Sequence, residues 1–310
     1  MHVNSQKTIK EPVELDGIGL HNGIKVNLRL KPAEANSGIK FKRTDINNND
    51  ENIIEANYKN VSSSALCTKI KNSYGVSVST IEHLMATFYG EGIDNILVEI
   101  DAPEVPIMDG SAKDFVKFIN EVGLRDLNEK RKFLKIVKKC EFQEDGKSIS
   151  IEPIENTFSV SFTLSYQDLF IKTQSNSVNF SGNDLEEIYT ARTFCLYEDI
   201  EKIKAIGLAR GGSLENAIVV QGEKVLNKEG LRCEKEFVNH KILDLAGDFM
   251  LSGMRVIGSI NCIHGGHSLT NKFLRKIIQE KDTFVVIEGK SHSINIRKVH
   301  PVQKRLVVNA

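Results

Sequence analysis

Histidine and carboxylate side chains occur at close spacing in the segment EFVNHKILDLAGDFM. His240 and Asp244 are four residues apart, so a helix would project both side chains from the same face. Imidazole and carboxylate are usual zinc ligands, and a catalytic zinc site takes three protein ligands and leaves a fourth position for water. The spacing fits two ligands of a divalent metal, but it also fits a His–Asp pair on an exposed helical turn.

A second candidate group lies in Ser79-Thr80-Ile81-Glu82-His83. Ser79 and Glu82 have the Ser-x-x-Glu spacing of a capping box, in which the glutamate only satisfies backbone N–H groups at a helix start. Adjacent Glu82 and His83 in a first helical turn also fit a general base beside a metal ligand. The metalloprotease motif H-E-x-x-H is absent from the sequence, so both interpretations stay open at this point.

A third candidate group is His264 and His267, which flank two glycines. Paired glycines let the backbone approach a ligand closely, and histidine titrates near neutral pH. A flexible turn with two solvated histidines has the same local sequence. Asp248 lies further along the segment of His240, about two helical turns on and on nearly the same face. From there its carboxylate could orient a histidine near the metal and keep it charged.

The hydrophobic pattern predicts the elements that position these residues. Residues 25–30 read K-V-N-L-R-L, with apolar side chains at every second position, as in a half-buried strand. Helices are predicted from Ser79 to Gly90, from Ser111 to near Gly123, and around residues 234–251 and 272–280. Further strands are predicted at residues 38–41, 76–79, 96–100, 133–137, 148–151 and 158–164.

A charged stretch, RDLNEKRK at residues 125–132, lacks apolar periodicity and marks the predicted domain boundary. Both sides of it mix several strands with one or two helices, which indicates the α+β fold class with two layered domains packed together. The N-terminal domain is expected at residues 1–127 and the C-terminal domain at residues 132–310.

Composition argues against several classes of protein. The 310 residues include 41 Lys+Arg and 41 Asp+Glu, which argues against nucleic-acid binding by bulk charge attraction. No apolar run approaches the ~20 residues of a membrane span, and the N-terminus lacks a signal-peptide core, so a cytoplasmic protein is expected. The five cysteines lack Cys-x-x-Cys spacing and are expected to be reduced thiols, so a metal must bind histidine and carboxylate.

Taken together and in order, nine segments closely resemble the UDP-3-O-acyl-N-acetylglucosamine deacetylase family of Gram-negative bacteria. They are G-I-G-L-H-N-G, L-C-T, S-T-I-E-H-L, G-I-D-N-I, A-P-E-V-P-I-M-D-G-S-A, A-R-T-F, R-G-G-S-L-E-N-A-I-V-V, H-K-I-L-D-L-A-G-D and G-G-H-S-L-T-N. The resemblance covers nearly the whole chain. It implies an enzyme that removes the N-acetyl group of an acylated UDP-glucosamine, the committed step of lipid A synthesis. It also implies two α+β domains with the active site between them.

The resemblance implies roles for individual residues as well. It assigns His83, His240 and Asp244 as zinc ligands, Glu82 as general base, His267 as second catalytic group, Asp248 behind His267, and Thr193 and Lys241 in the pocket. This set suits amide hydrolysis, because zinc lowers the pKa of bound water to about 7 and Glu82 can take the proton. Zinc, Thr193 and protonated His267 would stabilise the oxyanion, and either Glu82 or His267 would protonate the departing amine.

Substrate binding requires two further parts. The resemblance implies a hydrophobic passage for the 3-O-acyl chain between Phe194 and Ser213, where the candidates are Ile200, Ile203, Ile206 and Leu208. An amphipathic helix packed on its own domain has the same pattern. The other substrate-binding candidates are Lys241, Phe194, Leu66, Cys67 and His264, with Lys241 expected at the diphosphate.

The chain departs from the family pattern at three places near this pocket. His264 stands where the family usually carries Lys or Arg, and Asn239 stands where Arg is common. Tyr166-Gln167-Asp168 replaces an aromatic residue followed by an x-His-Pro turn, although Tyr166 is still a candidate for stacking on uracil. None of the three departures touches the metal ligands.

The expected function is that of a monomeric zinc amidohydrolase that acts on UDP-3-O-acyl-N-acetylglucosamine and releases acetate. One alternative is a zinc hydrolase of the same fold with a different acyl or sugar preference. The other is a nucleotide-sugar or lipid-binding module without catalysis. A pure binding module needs no general base, so the second alternative is disfavoured by the intact set of Glu82, His83, His240, Asp244 and His267.

Overall fold

The structure is a computed structural model that describes residues 5–48, 51–166, 170–182 and 185–289. Within these residues the helices are α1 (Glu82–Glu91), α2 (Lys113–Val122), α3 (Glu186–Tyr189), α4 (Tyr197–Ala205), α5 (Glu236–Met250) and α6 (His267–Gln279), with a 3₁₀ turn at Tyr58–Asn60. None of these described helices is both long enough and apolar enough to cross a membrane.

The strands of the first part of the chain are β1 (Ser5–Ile9), β2 (Val13–Ile18), β3 (Lys25–Pro32), β4 (Ile39–Arg43), β5 (Ile53–Glu55), β6 (Val61–Ser63), β7 (Lys69–Lys71), β8 (Ser77–Val78), β9 (Ile96–Ile100) and β10 (Leu124–Lys130). Five of them form a sheet in the order β2-β3-β9-β4-β5, in which β3 is antiparallel to β2 and β9, and β4 is parallel to β9. The alternation in β3 places Val26, Leu28 and Leu30 in the core.

The strands of the second part are β11 (Lys132–Ile136), β12 (Cys140–Glu144), β13 (Lys147–Glu152), β14 (Phe158–Ser165), β15 (Thr173–Asn179), β16 (Phe194–Leu196), β17 (Ile218–Gln221), β18 (Lys224–Val225), β19 (Arg255–Ile263) and β20 (Phe284–Glu288). The long strand β19 is central to a seven-stranded sheet, because it pairs with β11, β13 and β14. Strands β16, β17 and β18 form a small separate sheet.

Helices α1 and α5 pack against each other and connect the two parts of the chain. Every residue of α1 from Glu82 to Tyr89 is buried, and α5 is buried at all positions but Lys241. A Cβ built at Gly247 in α5 would overlap the carbonyl oxygen of Glu82 and lie 3.0 Å from the backbone nitrogen of Ala86. The absence of a side chain at Gly247 is therefore what lets the two backbones approach so closely.

The predicted α+β class is confirmed, and most predicted elements are present at nearly the predicted positions. Helix α6 differs, since it begins at His267 rather than at residue 272. The capping box is wrong: the Ser79 hydroxyl donates to the Pro103 carbonyl at 3.2 Å, and α1 has no side-chain cap. The charged stretch forms strand β10, which pairs antiparallel with β1.

Each sheet among the described residues takes its strands from one side of Arg131. Strand β10 continues to Lys130, beyond the predicted end of the N-terminal domain at residue 127, and the division into two domains stays a prediction. All five cysteines lie within the described residues and carry free thiols, as expected.

Candidate active site and metal centre

The three predicted metal ligands meet between α1 and α5. Their ligand atoms all lie within 4.8 Å of one another, and all three side chains are buried. Asp244 Oδ1 is 3.5 Å from His83 Nε2 and 3.4 Å from His240 Nε2. His240 and Asp244 lie one turn apart on α5, as their spacing predicted, whereas His83 comes from the first turn of α1.

These side chains fit a metal ion. Asp244 Oδ1 is buried and has no hydrogen-bond partner among the described residues, which is costly for a carboxylate unless a cation compensates it. The distances from Oδ1 to the two Nε2 atoms match the ~3.3 Å edge of a tetrahedron with zinc–ligand bonds of about 2.0–2.1 Å. Burial lowers the pKa of His240 to about 3, so this imidazole is neutral, as a metal ligand must be.

The orientation of His240 is fixed by its second ring nitrogen. His240 Nδ1 lies 3.0 Å from the Ala191 carbonyl oxygen, which can only accept a hydrogen bond. Nδ1 therefore carries the proton and leaves the lone pair of Nε2 free. Next to Ala191, the buried guanidinium of Arg192 donates to Glu236 at 2.8 Å, and Glu236 is in the first turn of α5. This ion pair ties the carbonyl to the helix that carries the histidine.

A continuous polar chain lies beside the three candidate ligands and consists of Glu82, Thr68, Asp248 and His267. Glu82 Oε2 accepts a hydrogen bond from the Thr68 backbone nitrogen at 3.0 Å, and the Thr68 hydroxyl donates to Asp248 Oδ1 at 2.6 Å. Asp248 Oδ2 lies 2.8 Å from His267 Nδ1. His267 Nε2 is then 3.7 Å from Glu82 Oε1, so the chain closes on itself.

The carboxylates around His267 favour its charged form. Burial by itself would lower the pKa of His267, but Asp248 and Glu82 outweigh burial and raise this pKa to about 10. Burial raises the pKa of Glu82, which makes its carboxylate a better proton acceptor than an exposed one. The Lys241 ammonium lies 3.0 Å from Asp244 Oδ2 and helps to hold the pKa of that carboxyl well below its usual range.

An apolar cavity of about 380 Å³ opens from this polar cluster. The metal-ligand candidates, Glu82 and His267 line one part of it. Its other walls are largely aliphatic and include Leu20, Leu66, Ile200, Ile203, Leu214 and Val219. The arrangement places a cluster of carboxylate and histidine side chains next to a space suited to an alkyl chain.

The chain is similar to known proteins over nearly its whole length. Residues 6–279 match the family model described as UDP-3-O-acyl N-acetylglycosamine deacetylase. The chain belongs to this family. A protein of Actinobacillus succinogenes, named UDP-3-O-acyl-N-acetylglucosamine deacetylase, is 41% identical over 290 residues, which span 92% of this chain and 94% of that protein. Proteins of the same name from Sodalis glossinidius and Aliivibrio fischeri are 41% and 39% identical, over 91% and 90% of this chain and 92% of theirs.

Several residues that the resemblance to the deacetylase family placed in the pocket do line the cavity. Thr193, Phe194, Leu66 and Lys241 are among its lining residues. The Lys241 ammonium also lies 5.5 Å from the centroid of the Phe194 ring, within range of a cation–π contact.

Other pocket candidates lie elsewhere. His264 and Tyr166 line a neighbouring cavity of about 430 Å³, to which Lys241 also contributes. His264 Nδ1 accepts a hydrogen bond from the Ser165 backbone nitrogen at 3.2 Å. Cys67 is half-buried, and burial beside Glu82 raises the pKa of its thiol to about 12, so it is protonated. Gln167 and Asp168 lie outside the described residues.

The apolar candidates between Phe194 and Ser213 divide into two groups. Ile200 and Ile203 on α4 line the cavity, whereas Ile206 is 68% exposed and Leu208 is not among the lining residues. Helix α4 has no fully buried residue but contacts strands β16 and β17, so packing on its own part of the chain stays an alternative to a role in the passage.

Sequence reasoning missed two residues that organise the site. Thr68 bridges Glu82 and Asp248, and its only sequence signal was its place in the L-C-T segment. Glu104, in the A-P-E-V-P segment, accepts hydrogen bonds from the His21 and Asn22 backbone nitrogens and the Thr80 hydroxyl, each at 2.8 Å. It thus joins the 19–23 turn to the residues just before α1.

Proposed function

We propose that this chain is a zinc-dependent amidohydrolase that removes the N-acetyl group of UDP-3-O-acyl-N-acetylglucosamine and releases acetate, the committed step of lipid A synthesis. The observation that carries the proposal is the convergence of His83 and His240 on the buried Asp244 carboxylate, whose Oδ1 has no hydrogen-bond partner among the described residues. Glu82 and His267 lie beside this cluster. The names of the relatives support the substrate.

The two histidines and Asp244 would hold the zinc ion through Nε2, Nε2 and Oδ1. When bound, zinc supplies Lewis acidity, which lowers the pKa of water and polarises a carbonyl group. Neutral His240 and ionised Asp244 are already in the protonation states that this role needs. Iron could bind the same donors. Metal analysis of the purified protein would distinguish zinc from iron.

Glu82 acts as the general base. Its Oε2 is held by the Thr68 backbone nitrogen, while Oε1 faces His267 and the cavity and can accept the proton of the attacking water. Protonated His267 and the Thr193 hydroxyl donate hydrogen bonds to the developing oxyanion. Loss of one such donor typically lowers the rate by a factor of about 10²–10³. Asp248 holds His267 through Nδ1, which leaves Nε2 to face the reaction.

The departing amine takes its proton from His267 in this proposal. Glu82 Oε1 and His267 Nε2 lie 3.7 Å apart, so a base and an acid flank one small space. A His267→Gln variant tests both roles of His267, because a mechanism in which Glu82 alone accepts and then returns the proton, with no part for His267, predicts near-normal turnover. Retention of near-normal turnover in His267→Gln would support the single-residue mechanism.

The substrate's two ends would occupy different spaces. The acyl chain would lie in the aliphatic part of the main cavity along Ile200 and Ile203, where each buried CH₂ contributes about 0.8 kcal/mol. Lys241 lines both the main cavity and its neighbour, so it is suited to the diphosphate between them. Tyr166 and His264 would then contact the nucleoside end.

The test combines metal analysis with an acetate-release assay. We expect about one zinc per chain, turnover of the acylated UDP-sugar, and severe loss of turnover with UDP-N-acetylglucosamine that lacks the acyl chain. Glu82→Ala should keep zinc and fold but lose most activity, whereas Glu99→Ala, in strand β9 and paired with Lys31, should keep activity. Equal turnover with the non-acylated sugar would favour a related hydrolase with another preference. Binding of the sugar without acetate release would favour a non-catalytic binding module.

A further inference from the structure

A second cavity, of about 280 Å³, lies at the C-terminal end of α1. It shares no lining residue with the main cavity among the residues that the structure describes. Its walls combine the aromatic rings of Tyr89, Phe158 and Phe180 with the polar side chains of Asn156, Thr157 and Ser181. Two arginines, Arg131 and Arg255, also line it.

The Arg255 guanidinium has no acceptor within the described part of the chain. Its Nη1 is buried without a hydrogen-bond partner, and no described carboxylate lies within ion-pair distance of it. Its carbon Cζ stacks 4.5 Å from the centroid of the Tyr89 ring, a contact that does not use the N–H donors of Nη1. Burial and the charge of Arg131 lower the pKa of Arg255, and the charge of Asp94, which is hydrogen-bonded to Arg131, only partly opposes this.

The other charged groups around this cavity are already engaged. Arg131 donates to Asp94 Oδ2 at 2.6 Å and to the Gly92 carbonyl oxygen at 2.6 Å. Asp94 in turn accepts from the Lys7 backbone nitrogen at 2.7 Å. Glu91 is the acidic residue that lines the cavity, and burial raises the pKa of its carboxyl. Of the two arginines that line the cavity, Arg255 is therefore the one without a hydrogen-bonded carboxylate among the described residues.

We propose that this cavity binds a small oxyanion, a phosphate or carboxylate group, through the Arg255 guanidinium. The planar fork of arginine matches two oxygens of such a group, and a charge-assisted pair would satisfy the donors that the chain leaves unpaired. The hydroxyls of Thr157 and Ser181, which bond each other at 2.9 Å, supply further polar contacts nearby. The aromatic rings would contact the organic body of a ligand larger than the free ion.

The test is calorimetric titration of the zinc-loaded enzyme with inorganic phosphate at constant ionic strength. We expect saturable binding that Arg255→Gln weakens about tenfold or more. Arg125→Gln, an exposed arginine in β10, is the matched control and should bind as the wild type does. Lys241→Gln tests the catalytic cleft: phosphate binding lost in this variant and kept in Arg255→Gln would overturn the proposal. So would the absence of phosphate and acetate binding at millimolar concentration.

Titration with acetate distinguishes a carboxylate ligand from a phosphate ligand, since the better-matched anion should bind more tightly and compete with the other. Should Arg255→Gln fail to fold, Asn156→Asp gives a second measurement, because Asn156 is exposed and lines the same cavity. A carboxylate at position 156 should weaken phosphate binding and raise the melting temperature in phosphate-free buffer. Unchanged phosphate affinity together with an unchanged melting temperature would contradict an anion site here.

Discussion

Gly247 in α5 lies directly against the backbone of Glu82 in α1, so close that a methyl group at Gly247 would overlap the Glu82 carbonyl oxygen. This contact sets the distance between the two helices that carry the candidate metal ligands. His83 follows Glu82 on α1, and Asp244 lies one turn before Gly247 on α5. The 3.5 Å separation of His83 Nε2 and Asp244 Oδ1 therefore depends on a glycine that has no side chain to contribute to the site.

Gly247→Ala should push α1 away from α5. We expect a loss of stability of about 1–3 kcal/mol, as for other overpacked cores, and zinc binding weaker by about tenfold or more. Urea denaturation and competition with a zinc chelator measure the two effects. Ile119→Ala, in the buried face of α2, is the control, since it should also reduce stability but leave zinc affinity unchanged. Equal zinc affinity in Gly247→Ala and the wild type would refute this role of the contact.

His240→Ala should lower zinc affinity by more than about 100-fold, because it removes one of three ligand atoms that converge at the site. Metal analysis after dialysis against a weak chelator measures the change. His264→Ala is the matched control, because His264 lines the neighbouring cavity and should leave zinc content unchanged. A His240→Ala protein that keeps one tightly bound zinc would contradict the assignment.

Ile203→Asp should impair binding of the acylated substrate, because it places a charge in the aliphatic part of the main cavity. We expect KM to rise by about tenfold or more, with a smaller effect on kcat. Ile206→Asp is the control: this residue is 68% exposed on the same segment, and its substitution should leave KM nearly unchanged. Similar KM values for the two variants would argue against the passage along α4.

The metal-free protein should lose stability as pH rises above neutrality. The pKa of His267 is raised from 6.5 to about 10 by neighbouring carboxylates, so its stabilising charge is fully present below pH 6.5 and is lost as pH rises toward 10. The slope should approach about 1.4 kcal/mol per pH unit, the value for one proton. Urea denaturation from pH 6.5 to 10 measures it, and NMR of the His267 ring gives the midpoint.

Asp248→Asn should shrink this slope and move the NMR midpoint of His267 toward lower pH, because Asp248 provides the nearest carboxylate at 2.8 Å. Asp16→Asn, in an exposed position of β2, should leave both unchanged. An unchanged midpoint in Asp248→Asn would show that the other carboxylates alone hold the charge on His267.

Local sequence patterns determined much of the secondary structure. Alternating apolar residues specify strands such as β3 and β9, and an apolar stripe ending at a glycine specifies α2. The four-residue spacing of His240 and Asp244 already places both side chains on one face of α5. These features follow from backbone periodicity, which acts between residues close in the chain. The ordered family motifs, for their part, identified the family before any coordinates.

Tertiary packing decided the rest. Strand β10 was hidden by its charged side chains, because pairing with β1 uses backbone groups that every residue carries. Glu82 has the spacing of a cap, yet it turns to Thr68 and His267, which come from distant segments. Contacts between such segments create the third candidate metal ligand, the bridge through Thr68, and the Arg255 Nη1 that has no partner among the described residues. Spacing along the chain does not encode these contacts, since they exist only after the helices and sheets pack.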